Sequence, residues 1–177
     1  ADNELAGEII AKHLLSLGHR DIACMFPPTQ GNDRARARCD IVLATLLEAG
    51  ITVPNKWALQ TVYSISASKS DAQELFSQQT RPSALICGND ILATGALYGA
   101  NASGLRVPED VSIVGIGDFK GSSEIEPALT TVRLPAKRIG HEAGKELAAA
   151  IVGTSGKAGT SLHCAPQLII RHSSGCP

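Results

Sequence analysis

The chain has 177 residues, of which 44% are hydrophobic, 19% charged and 3% aromatic. That is the size of one domain or a little more and excludes disorder, and area scaling lets about 70% of the unfolded surface be buried. Sixteen basic against seventeen acidic side chains give a formal charge of -1, without the basic excess that binding a phosphate backbone leaves.

In chain order, short apolar runs alternate with helical patterns, which predicts an α/β fold with a mostly parallel sheet flanked by helices. The first helix is predicted over 4–17, capped near Asn3, with Leu5, Ile9, Leu14 and Leu17 on its apolar face and Gly18 as its stop. A buried strand follows over 21–26 and a loop over 27–33. The next helix covers 34–49, with Ile41, Val42, Thr45, Leu46 and Ala49 turned inward and Gly50 ending the run. A strand is predicted over 57–63 and a polar connection over 64–70. Ser70 with Gln73 then forms a capping box for a helix carrying Ala72, Leu75 and Phe76.

Strand 84–87 ends in Gly88-Asn89-Asp90, which caps a helix reaching about 103, and Gly95 and Gly99 permit close packing on it. Further strands are predicted over 111–114 and 130–132. Pro135 opens a helix that ends near Gly153, with Ile139, Ala143, Leu147 and Ile151 in one stripe. A surface connection over 153–160 leads to a last strand over 167–172.

No apolar run approaches the roughly 20 residues of a bilayer span, and the opening residues do not read as a secretory signal. Cys24, Cys39, Cys87, Cys164 and Cys176 are odd in number and contain no C-x-x-C pair, which fits free thiols in a reducing cytoplasm. His13, His19, His141, His163 and His172 form no H-E-x-x-H pattern, so no metal is expected. Gly115-Ile116-Gly117 could begin a dinucleotide fingerprint, but Lys120 stands where the third glycine belongs. No nucleophile elbow or phosphate loop is present; neither a cofactor nor enzymatic turnover is expected.

In a parallel α/β sheet, ligands bind beyond the carboxyl ends of the strands. Polar groups stand at four such places: Asn32 followed by Arg34, Arg36 and Arg38; Tyr63 and Ser64; Asn89 and Asp90; Gly117 and Asp118. Arginine forks, amides and carboxylates suit a hydroxyl-rich ligand, and a tyrosine ring suits its apolar face. Each also has a purely structural reading. The arginines can be a solvated helix start, Asn89 and Asp90 can be N-caps, and Tyr63 can pack in the core. Cations are nevertheless disfavoured at a helix N-terminus, which favours an anionic or polar partner there.

The segments 17–23, 81–90, 104–112, 127–132 and 168–174, in this order, resemble the lactose-repressor-like (LacI/GalR) transcriptional regulators over essentially the whole chain. The resemblance implies a two-lobed, periplasmic-binding-protein-like domain that closes on a small effector, a sugar or sugar acid, and that forms a homodimer. It implies effector contacts at Arg38, Asn89, Tyr63, Asn32, Asp2 and the Gly117-Asp118 turn, with Asp118 standing in for an aspartate usual at position 117. It also implies dimer contacts at Thr94, Leu97, Tyr98 and Ile125. Ile41 and Ser68 depart from the family pattern, which has glycine there.

By the same resemblance, 18–133 and 154–177 form the carboxy-terminal lobe, whereas 1–17 and 134–153 are remnants of the amino-terminal lobe. The chain then reads as a fragment whose operator-binding helix-turn-helix lies outside it. The first and last helices should lack their sheet and expose Leu5, Ile9, Leu14, Ile139, Leu147 and Ile151 as an apolar patch seeking a partner. The alternative is an exported sugar-binding protein that serves a transporter.

Overall fold

The computed structural model describes residues 1–152 and 164–177; the connection predicted over 153–160 and His163 lie outside them. The described residues form eleven α-helices and β-strands: α1 (Asn3–Ser16), β1 (Ile22–Phe26), α2 (Asp33–Glu48), β2 (Ala58–Gln60), α3 (Ile65–Phe76), β3 (Ala84–Cys87), α4 (Asp90–Ala102), β4 (Ser112–Gly117), β5 (Thr130–Arg133), α5 (Ala136–Ile151) and β6 (Gln167–Ile169). They build one six-stranded sheet in the order β2-β1-β3-β4-β5-β6. The first five strands pair in parallel, and β6 adds an antiparallel edge against β5.

The sheet is covered on both faces, so its central strands are apolar on both. Ala23, Met25, Leu85, Cys87 and Ile113 face the α3/α4 layer, while Ile22, Cys24, Phe26, Ala84, Ile86, Val114 and Ile116 face α1 and α2. Close approach within the helical layers depends on glycine. A Cβ at Gly95 would lie 1.8 Å from Ser68 Oγ and 2.5 Å from the Ile65 carbonyl oxygen, and one at Gly99 would lie 2.7 Å from Ala72 Cβ. Ser68 therefore sits at the point of closest contact between α3 and α4.

Several expectations are corrected. Helix α1 does not lack a sheet: Ala6, Ile10, Ala11 and Leu14 are fully buried in the core shared by α1, α2 and the sheet. The inward stripe of α1 also differs from the predicted one, because α1 presses on α2 at Gly7, where a Cβ would meet Ile41 Cγ2 at 2.5 Å. That approach turns Ala6, Gly7, Ile10 and Leu14 inward and leaves Leu5 and Ile9 half-buried.

Strand β2 is only three residues long, preceded by a 3-10 turn over Asn55–Trp57; the chain leaves the sheet before Val62 and Tyr63. Helix α3 starts six residues before the predicted Ser70 box, because the Ser64 side chain accepts the Ala67 N–H and caps it first. Strand β4 extends to Gly117, three residues beyond the predicted end. The last strand stops at Ile169.

Helix α5 has no buried residue, with Leu147 and Ile151 63% and 76% exposed. The apolar patch thus survives on α5 but not on α1. At the opposite edge of the layers, the carboxy-terminal tail is fastened by buried His19. Its Nε2 donates to the Gly175 carbonyl at 2.9 Å, and its Nδ1 accepts from Ser83 Oγ at 2.8 Å. Burial lowers the pKa of His19, against an opposing pull from the Gly175 carbonyl. His13 is likewise lowered by burial and then by proximity to His19.

Candidate functional site

The carboxyl ends of the parallel strands all point to one rim of the sheet, and each chain segment leaving that rim contributes a polar group. After β1, Asn32 caps α2 by accepting the Ala35 N–H at 3.1 Å. Arg38, a turn and a half further along α2, is carried back over the sheet. Its Nε donates to Asn3 Oδ1 and its Nη1 to the Gly88 carbonyl, both at 2.9 Å. After β3, Asn89 caps α4, its Oδ1 taking the N–H groups of Ile91 and Leu92 at 2.9 and 3.0 Å. Tyr63, just before α3, stands 60% exposed at the rim. The core-packing reading of this ring is therefore set aside.

Asn32, Arg38, Tyr63 and Asn89 line one cavity of about 380 Å³ together with Arg34, Phe119 and Leu134. Burial lowers the pKa of Arg38, the positive charge of Arg34 lowers it further, and Tyr63 and Asp90 offset part of this. Gly88 lets the end of β3 pass close to the buried Phe26, since a Cβ there would lie 2.5 Å from that ring.

Gly117 and Asp118 line a second cavity of about 640 Å³ that shares Phe119 and Leu134 with the first. Both Asp118 oxygens are already engaged, by Arg171 Nη2 and Arg133 Nε at 2.6 Å each. Burial alone would raise its pKa, but the hydrogen bonds from Arg171 and Arg133 prevail and hold the carboxyl below its usual range. Asp118 adopts a left-handed backbone (φ 53°) right after Gly117 (φ 146°), which turns Phe119 back towards the first cavity. Asp2 lines neither cavity. It caps α1, accepting the Leu5 N–H at 2.9 Å, while its neighbour Asn3 orients Arg38.

Asp90 anchors the turn from below. It is buried and accepts from Phe119 N at 3.0 Å, Ser122 Oγ at 2.7 Å and Thr131 Oγ1 at 2.6 Å. Sequence reasoning missed Asn3 as Arg38's partner, together with Phe119, Leu134, Arg133 and Arg171. Phe119 had a signal in its place next to Asp118; the others come from segments distant in the chain.

Of the residues expected at a dimer contact, Tyr98 is 49% exposed and Leu97 6%. Thr94 and Ile125 are half-buried. All five cysteines are free thiols, and burial raises the pKa values of Cys24 and Cys87. Among the described residues, no group of three His, Cys, Asp or Glu side chains could hold a metal ion. No described helix is long and apolar enough to cross a membrane.

Residues 11–174 match the family model described as a periplasmic binding protein-like domain. The HTH-type transcriptional repressor PurR of Salmonella paratyphi B is 36% identical over 173 residues, covering 97% of this chain and 50% of that protein. A LacI family transcriptional regulator from Enterococcus faecium, solved with bound ribose, superposes with a TM-score of 0.87 at 26% identity, covering 98% of this chain and 63% of that one. A dimeric Lac repressor with an 11-residue carboxy-terminal deletion gives a TM-score of 0.90 at 26% identity, covering 99% and 62%. The chain spans about half the length of the curated relatives it matches.

Proposed function

The chain belongs to the LacI/GalR regulator family of periplasmic binding protein-like domains, and from that premise we propose that it is the effector-binding part of a cytoplasmic transcriptional regulator, without catalytic turnover. A small sugar or sugar-acid effector occupies the cavity at the carboxyl rim. It contacts Arg38, Asn89, Asn32 and Tyr63, with the Gly117-Asp118 turn at its side. The observation that carries this reading is the convergence of polar groups from three separate strand-to-helix connections on one 380 Å³ cavity. The ribose-bound Enterococcus faecium relative supports it.

Effector binding biases lobe closure and so shifts the population of DNA-competent states. The operator-reading helix-turn-helix lies outside this chain. Residues 18–133 and 164–177 belong to the carboxy-terminal lobe, joined by α1 through its packing, and α5 belongs to the amino-terminal lobe. Thr94, Leu97, Tyr98 and Ile125 contribute to a homodimer contact, a reading supported by the dimeric Lac repressor.

Isothermal titration against a panel of sugars and sugar acids tests the effector site. Saturable heat from at least one compound, lost in Arg38→Ala, is the expected result. Absence of heat from every compound, or unchanged affinity in Arg38→Ala, overturns the reading.

A further inference from the structure

The hydrogen-bonding inventory of the rim cavity is lopsided. Arg34 and Arg38 are the charged side chains that line it, and no described carboxylate does. Arg34 makes no hydrogen bond or ion pair with a described residue. Arg38 commits Nε and one Nη1 proton to neutral acceptors and leaves Nη2 unpaired.

The two asparagines add to this excess of donors. Each must turn its oxygen towards the backbone N–H groups it caps: Asn89 Oδ1 takes two and Asn32 Oδ1 one. The amino group of each is left without an acceptor among the described residues. The Tyr63 hydroxyl and the second lone pair of Asn32 Oδ1 are the acceptors left among the lining side chains.

A sugar hydroxyl must donate as well as accept, whereas a carboxylate or phosphate only accepts. A cavity rich in donors and poor in acceptors is therefore matched by an oxyanion. The neighbouring cavity has the same sign. Asp118 is spent on Arg133 and Arg171, and Lys137 and Arg138 line the wall without an ion pair to a described residue.

We propose that the effector is an acidic polyol whose carboxylate or phosphate oxygens are held by Arg34, Arg38 and the amino groups of Asn32 and Asn89. This rests on the effector-site reading above and narrows its ligand class. Guanidinium forks suit such an anion because they donate two parallel hydrogen bonds to it. The two like charges, placed side by side without an internal counter-ion, become favourable once the anion lies between them.

Matched pairs test the inference by titration of the whole chain: gluconate against glucose, galacturonate against galactose, and ribose 5-phosphate against ribose. The acidic member of at least one pair should bind about tenfold tighter or more, and its affinity should fall as salt is raised. The gluconate and phosphate arms separate the two kinds of anion. Arg34→Gln should shrink the ratio within that pair, with Arg34→Lys restoring part of it. Equal or tighter binding of the neutral members overturns the inference while leaving the effector site standing. Heat from no compound removes both.

Discussion

A guanidinium drawn out of water needs its donors satisfied, and Arg38 has only neutral protein acceptors for those it uses, Asn3 Oδ1 and the Gly88 carbonyl. The remaining donors are what a ligand would meet. Truncating one member of a buried, charge-assisted pair costs about 2–5 kcal/mol of binding, so Arg38→Ala should weaken effector affinity by at least about thirtyfold in calorimetry. Arg38→Lys should rescue little of it, because a point charge cannot replace the fork. His19 supplies a second prediction. Its folded pKa lies below the ordinary 6.5 because of burial, so the unfolded chain takes up the proton first as pH falls. Stability is complete above about pH 6.5 and declines below it towards the folded pKa. Urea midpoints should drop between about pH 7.5 and 5.5, and His19→Gln should flatten that slope while lowering the plateau.

Among the elements, the α3/α4 pair is the tightest contact. Gly95→Ala would drive a methyl into Ser68 Oγ and the Ile65 carbonyl; overpacking of this kind costs about 1–3 kcal/mol and should appear as a lower midpoint in thermal melts. Relieving the side-chain part of the clash with Ser68→Gly in the same chain should recover some of it.

The close packing at Gly95 and Gly99 was legible in the sequence because it follows from spacing along one helix. So was the Asn89 cap, which ends a clear apolar run. The start of α3 was not, since Ser64 and Ser70 are both chemically fit to cap and only the fold selects the earlier. The fate of Asp118 was hidden for a different reason: its partners Arg133 and Arg171 stand 15 and 53 residues away. Which polar groups at the rim are free and which are spent on each other is a three-dimensional fact. Sequence indicated where the candidate groups stand, and the hydrogen bonds decide which remain available.

At the scale of the molecule, the two outer helices differ sharply. Helix α1 is embedded against the sheet, whereas α5 leaves Leu147 and Ile151 in solvent. Replacing these two with lysine should change the folding free energy by no more than about 0.5 kcal/mol each, as for other surface positions, and should reduce concentration-dependent association in sedimentation velocity. Unchanged association in the double variant would show that the stripe draws no partner. The tail offers a way to observe the other side of the fold. Cys176 is exposed, Cys24, Cys87 and Cys164 are buried, and Cys39 is half-buried with a thiol that burial makes less acidic. A maleimide dye should therefore attach selectively at Cys176, one residue beyond the carbonyl that accepts the His19 hydrogen bond. Its anisotropy would then report how firmly the end of the chain is held.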